Sequence, residues 1–255
     1  MTRPRTPSAN LEPKVVYEDA GLVALVKPAG MLVHAAPVRS DHPHAHAPTL
    51  ADWLRRKYPE TRTVGDDPAV RPGIVHRLDK DTSGIMLAAR TQEDFAYLKK
   101  LFQEKSVRKT YLALSWGHAK HDRGEIVAPI GIKSGTTKRS IHSAKMAKSA
   151  ETDYEVIGRF TAPEDEGVRT TLFRVMPRTG RTHQIRVHLA SIGCPVAGDP
   201  LYGPRRAPLP APRLMLHAFA LEFSRRPGER LHLEAPPDAV FTGFLARCGA
   251  DGYPH

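Results

Sequence analysis

The feature that most constrains this chain is the recurrence of short apolar runs joined by turns rather than by helices. Three lie near the start: Val15, Val16 and Tyr17 begin one, Leu22 to Val26 form the second, and Met31 to His34 the third. Lys27-Pro28-Ala29-Gly30 reads as the turn before the third, since Pro and Gly punctuate extended chain. Further strands are expected at Gly84 to Ala89, Lys109 to Trp116, Glu151 to Phe160, Val168 to Pro177, Leu214 to Phe223 and Arg230 to Glu234. Helical spacing is confined to four segments. Thr49 to Tyr58 is capped by Thr49 and sets Leu50, Trp53 and Leu54 on one face. Thr91 to Lys105 opens on a Thr91/Asp94 capping box and repeats Phe95, Leu98 and Phe102. Thr182 to Ile192 ends at Gly193, and Pro236 to Cys248 carries Pro at its start. Strands outnumber helices and alternating βαβ units are absent. The expected class is therefore α+β, with a mainly antiparallel or mixed central sheet flanked by helices. Residues 14–250 read as a single domain, and residues 1–13 as a disordered basic tail.

The balance of charge narrows the partners. Lys and Arg total 38 against 27 acidic residues, a formal net charge of +11. Such a surplus favours a polyanion, because basic groups gain by neutralising phosphates and releasing counterions. Ser134 to Ala150 has few large apolar residues and carries Lys138, Arg139, Lys145 and Lys148, so it reads as an exposed basic loop or hairpin. Cys194 and Cys248 are the only cysteines and lie far apart, which argues against a disulfide framework or a cysteine zinc site. Two thiols suit a reducing cytoplasm. The longest apolar region, Leu22 to Val33, is interrupted and too short for a bilayer. His42, His44 and His46 alternate in the loop Pro37 to Pro48, but Asp41 is the only further ligand type there, and the reading is a solvated loop without a metal. No G-x-G-x-x-G or P-loop is present, so no nucleotide cofactor is expected.

Three segments place charge and glycine at strand ends in a way a plain core would not need. The first is Gly73-Ile74-Val75-His76-Arg77-Leu78-Asp79-Lys80-Asp81-Thr82-Ser83-Gly84. The second is Lys109-Thr110-Tyr111, and the third runs from Thr179-Gly180-Arg181-Thr182-His183-Gln184 to His188. A kinase reading of the first fails, because Leu78 separates Arg77 from Asp79 and no glycine-rich loop or Asp-Phe-Gly accompanies it. His183 and His188 are five apart with no Glu between them, which excludes a metalloprotease helix. A zinc deaminase would need paired cysteines.

Together these segments resemble the RluA-type pseudouridine synthases. His76-Arg77-Leu78-Asp79 with Thr82-Ser83-Gly84 resembles that family's catalytic motif, Lys109 to Leu114 its tyrosine strand, and Gly180 to His188 its arginine motif. Gly198-Asp199-Pro200-Leu201-Tyr202-Gly203 and Leu216-His217-Ala218 resemble two further signatures, and Tyr17-Glu18-Asp19 and Lys27 to Gly30 its opening strands. The resemblance runs in order from about Val15 to Phe223. Many relatives carry a small N-terminal RNA-binding domain. Only about fourteen residues precede the first strand here, so the catalytic domain is expected to make its own RNA contacts.

The resemblance implies an enzyme that isomerises uridine in ribosomal or transfer RNA, without cofactor or metal. Cleaving the bond from ribose to the base nitrogen develops positive charge on the sugar, which a carboxylate can stabilise or attack. Asp79 is implied as that carboxylate. In a pocket poor in water it needs a nearby cation to stay ionised, and Arg181 is implied as that partner. Tyr111 is implied to stack on the base and to assist proton transfer. The target must be extruded from its stack: Arg77 is placed to fill the vacated space and Leu216 to line the pocket floor. Lys138, Arg139, Lys145 and Lys148, with Arg3 and Arg5, are candidate phosphate contacts. A monomer in the cytoplasm is expected.

Overall fold

The structure, a computed structural model, describes residues 11–35, 48–133, 138–141, 144–162, 167–226 and 228–250. The His-rich loop, Arg3 and Arg5 lie outside the described residues, as does most of the expected basic tail. The chain divides into two compact units, Met1–Lys99 and Lys100–His255.

The first unit contains β1 (Lys14–Glu18), β2 (Leu22–Lys27), α1 (Leu50–Lys57), a short 3-10 turn at Pro59–Thr63, β3 (Ser83–Ala89) and most of α2 (Gln92–Gln103). β1 pairs with β2 and β2 with β3, both antiparallel. Every residue of β3 is buried, as its unbroken apolar run requires. α1 starts on a full capping box: Asp52 N–H donates to Thr49 Oγ1 at 3.2 Å, and Thr49 N–H donates back to the Asp52 carboxylate at 3.1 Å. Thr91 and Asp94 cap α2, with Asp94 N–H donating to Thr91 Oγ1 at 3.1 Å. Met31 to His34 does not form the expected third strand. The Leu32 and Val33 carbonyls instead accept from Leu50 and Ala51 N–H, both at 2.9 Å, and so satisfy donors at the start of α1.

The second unit continues with β4 (Arg108–Trp116), β5 (Arg123–Val127), β6 (Ile130–Lys133), β7 (Arg139–Ser140), β8 (Ala144–Lys148), β9 (Glu151–Thr161), β10 (Arg169–Pro177), α3 (Gln184–Ser191), β11 (Leu216–Arg226), β12 (Glu229–Glu234) and α4 (Ala239–Arg247). Its large sheet has the order β12-β11-β4-β10-β9-β5, with each pairing antiparallel. Leu112, Leu114, Leu172, Phe173, Val175, Leu189 and Phe241 belong to the core packed on this sheet, and Tyr154 meets Phe173 edge to face at 5.5 Å. A separate small sheet, β7-β6-β8, takes up most of the expected basic hairpin. α4 begins after Asp238, whose carboxylate accepts from Phe241 N–H at 2.9 Å. The helix thus starts later than expected, and Pro236 precedes its cap instead of opening its first turn. The α+β class stands, with the described strands antiparallel within each unit.

Candidate active site

Within the first unit, the segment 73–84 is tied to the sheet before it turns. Gly73 has φ +63, and a Cβ there would lie 2.2 Å from the Ala89 carbonyl oxygen, so only glycine fits. Ile74 bridges to Ala88, and Leu87 N–H donates to His76 Nε2 at 2.8 Å. That bond requires Nε2 to be unprotonated. Leu78 is buried while Arg77 is exposed, so alternation along the segment turns the guanidinium outward. Asp79, partly buried, opens a turn in which Thr82 N–H reaches the Asp79 carbonyl at 3.2 Å.

A buried ammonium fixes this turn from below. Lys27 is fully buried, and its Nζ donates to the carbonyls of Pro28 at 2.8 Å, Met31 at 3.0 Å and Lys80 at 3.0 Å. Gly30 N–H reaches the same Lys80 carbonyl at 2.9 Å. All three protons of the ammonium find carbonyls, which offsets the desolvation of the charge. Nearby, burial holds the His34 imidazole below its usual range, and the positive charges of Arg71 and Arg77 push the same way, against the bond to the Ala35 carbonyl.

Within the second unit, Tyr111 sits where β4 passes from half-exposed residues into a fully buried run. It pairs with Val175 on β10 and Ala218 on β11. The β11 register slips between Ala218 and Ala220, opposite the Thr110–Tyr111 step, so Phe219 forms a bulge there. Bulges re-aim side chains beside functional positions. Leu216 is buried and pairs with Ala113 on the same strand as Tyr111.

Arg181 belongs to a turn before α3. The helix begins at Gln184, two residues later than expected. Its N-cap is His183 in the left-handed region at φ 59, and it has no side-chain cap bond. Gln184 organises the turn instead. Its Oε1 accepts from Thr179 Oγ1 at 2.8 Å and Arg181 N–H at 2.9 Å, while its Nε2 donates to the Glu151 carbonyl and Thr152 Oγ1, both at 2.9 Å. Arg181 Nε donates to the Ser149 carbonyl at 3.0 Å.

The small sheet carries the basic residues. Lys138 is exposed and donates to the Leu201 carbonyl at 3.2 Å, while Arg139 is half-buried and Lys148 exposed. The Lys145 side chain lies outside the described residues. Arg139 N–H donates to Tyr202 Oη at 2.9 Å, and the same oxygen lies 2.9 Å from His183 Nδ1. The Arg186 guanidinium stands 5.2 Å from the Tyr202 ring centre and makes a buried two-pronged pair with Asp199, at 2.7 and 2.8 Å. Asp79 and Arg77 thus belong to the first unit, and Tyr111, Arg181, Leu216 and the basic sheet to the second. Lys27, Gln184 and Tyr202 had no role assigned from the sequence. Lys27 stood out only as the charge that ends an apolar run and opens the family-like segment Lys27 to Gly30. Among the described residues, no group of three or more His, Cys, Asp and Glu side chains is arranged to hold a metal ion, and no helix is long and apolar enough to cross a membrane.

Comparison with known proteins identifies the family. The family model for RNA pseudouridylate synthase matches residues 21–191. The chain is 40% identical over 240 residues to the ribosomal large subunit pseudouridine synthase D of Nitrosomonas europaea, covering 88% of this chain and 62% of that protein. It thus spans less than two thirds of that relative's length. It is 38% identical over 250 residues to the protein of the same name from Pseudomonas aeruginosa, covering 93% and 72%. To the dual-specificity RNA pseudouridine synthase RluA of Vibrio parahaemolyticus it is 33% identical over 209 residues, covering 82% and 76%. Among solved structures, human RNA pseudouridylate synthase domain containing 1 superposes with a TM-score of 0.72 at 26% identity, covering 98% of this chain and all of that one.

Proposed function

This chain belongs to the RNA pseudouridylate synthase family, and from that premise we propose that it isomerises specific uridines to pseudouridine in ribosomal or transfer RNA. The observation that carries the reading is the family match over residues 21–191, which takes in the segments of Asp79, Tyr111 and Arg181 together.

In this reading the target uridine is extruded from its stack and Arg77, exposed beside the turn, fills the gap. The Asp79 carboxylate meets the positive charge that develops on the sugar as the glycosidic bond breaks. Two routes use that carboxylate: bonding to the anomeric carbon, or removal of the neighbouring sugar proton to give a glycal. In either, the uracil rotates and its ring carbon five bonds to the anomeric carbon, as the Asp79–sugar bond breaks in the first route or the sugar proton returns in the second. The freed ring nitrogen takes a proton from solvent, and ring carbon five gives up its own. Tyr111 stacks on the uracil, and its hydroxyl relays that proton. Arg181 supplies the cation that keeps the carboxylate ionised. Leu216 forms the floor beneath the base, and Lys138, Arg139, Lys145 and Lys148 hold phosphates of the surrounding RNA. The chemistry calls on no cofactor or metal. The enzyme works on RNA in the cytoplasm as a monomer.

The test is tritium release from transcripts labelled at uridine ring carbon five, with ribosomal and transfer RNA as separate substrates. Wild type is expected to release tritium from one of them, and Asp79→Ala is expected to release none while keeping its fold by circular dichroism. Turnover by a well-folded Asp79→Ala would remove the proposed mechanism.

A further inference from the structure

The link between α2 and β4 carries two lysines whose placement a folded core does not require. α2 closes with Ser106 N–H donating to the Leu101 carbonyl at 2.8 Å and Lys105 N–H to the Phe102 carbonyl at 3.3 Å. This closure puts Lys105 at φ 59, in the left-handed position where glycine is the residue of least strain. Four residues on, Lys109 is half-buried on β4. Burial holds its ammonium below the ordinary lysine range, and the Lys105 charge pushes it further the same way.

Neither lysine side chain has a hydrogen bond or an ion pair among the described residues, and the nearby carboxylates are engaged elsewhere. Glu222 faces Arg108 at 3.5 Å and Arg230 at 3.1 Å, and Glu104 faces Lys100 at 3.9 Å. A cation on a left-handed residue and a half-buried cation four residues on, neither of them ion-paired among the described residues, are arranged for an anion that arrives from outside. The position indicates which anion. Lys109 and Tyr111 are two residues apart on an extended strand, so they share a face at a spacing of about 7 Å. That is the scale that separates a nucleobase from the phosphates of its own strand.

We propose that Lys105 and Lys109 form a phosphate site for the RNA strand that carries the target uridine, next to the base held at Tyr111. The proposal rests on the isomerase reading and adds a subsite to it. The lysines neutralise one phosphodiester and set the register of the strand, and they take no part in bond making.

The full chain with Lys105→Gln, Lys109→Gln, and Lys105→Gly separates these roles. Tritium release gives KM and kcat, and binding to the same transcript across a salt series gives the counterion slope. Both glutamine variants are expected to raise KM about tenfold at near-constant kcat, and to lower the salt slope by up to about one. Lys105→Gly is expected to show the same RNA defect and yet to melt about 2–4 °C higher, because it relieves the left-handed strain. Lys105 is exposed, so its variants keep the test decisive if Lys109→Gln folds poorly. An active wild type with KM and slope unchanged in the Lys105 variants overturns the phosphate site alone, as does a fall in kcat at constant slope. An inactive wild type overturns the isomerase reading, and the subsite with it.

Discussion

Gln184 uses every hydrogen-bonding atom of its side-chain amide. Two acceptor bonds hold Thr179 and the Arg181 backbone, and two donor bonds reach Glu151 and Thr152 on β9. The residue is buried, so water cannot replace these bonds if the amide is removed. Gln184→Ala is therefore expected to lower stability by about 2–4 kcal/mol in urea unfolding. It should also reduce kcat more than KM, since the Arg181 turn loses its anchor. A variant within about 0.5 kcal/mol of wild type would show that the amide is dispensable. Residues of this kind were hard to see in the sequence. Asp79, Arg77, Tyr111 and Arg181 stand out because their side chains carry recognisable chemistry in recognisable segments. Gln184 and Lys27 act through carbonyls and hydroxyls supplied from far along the chain, such as Lys80 for Lys27 and Thr152 for Gln184. A lysine after an apolar strand reads as the start of a turn until its three carbonyl partners are known.

The small sheet β7-β6-β8 is a weakly supported element. Among the described residues, its own apolar cluster is Ile130, Ala150 and Val187, with Ile141 and Tyr202 packed against it. The Tyr202 hydroxyl is one polar anchor, accepting from Arg139 N–H and meeting His183. Below that anchor, the turn at Gly198 is tight: its φ is +74, and a Cβ would lie 1.9 Å from the Arg213 carbonyl oxygen. Tyr202→Phe removes the hydroxyl and keeps the ring over which Arg186 sits. It is expected to weaken the docking of the sheet by about 1 kcal/mol. Amide exchange should rise about fivefold in 130–133 and 144–148, with β9 and β10 unchanged. Unaltered exchange in the small sheet would show that the hydroxyl does not hold it. At this scale the long elements were legible because their periodicity is sustained: β4, β9, β10, α1 and α2 match the expected segments within a few residues. β5 and β6 were not, since each is short and carries one or two large apolar residues. Met31 to His34 looked like a strand from composition, but its carbonyls were needed by α1. The helix expected from Thr182 starts at Gln184, because the left-handed His183 lets Gln184 organise the turn from inside the helix.

The α+β class follows from many short strands and few helices, a signal spread over the whole chain. The division after Lys99 has no such signal, since it falls inside α2, where no proline, glycine or change of composition marks it. The second unit carries buried histidines, and these give that unit a pH limit. His217 is 1% exposed and donates from Nε2 to the Ala235 carbonyl at 2.7 Å. Burial lowers its pKa to about 4 from 6.5, with Arg213 adding to the effect and the carbonyl bond and Asp238 opposing it. His188, bonded to Ala128 and Thr152, is lowered as well, chiefly by burial. A histidine whose folded pKa is depressed takes up its proton more readily in the unfolded chain. Its neutral form stabilises the fold fully above pH 6.5, and that contribution is lost as pH falls from 6.5 towards 4. For His217 the loss between pH 7.5 and 5 comes to about 2 kcal/mol. Urea unfolding at those two pH values is expected to show this drop in wild type. In His217→Gln, where an amide can still donate to Ala235, the drop should be about 2 kcal/mol smaller, because the carboxylates that also titrate at low pH are common to both proteins. An equal drop in the two proteins would mean that the imidazole is charged when folded, and that the acid limit lies in the surface ion pairs.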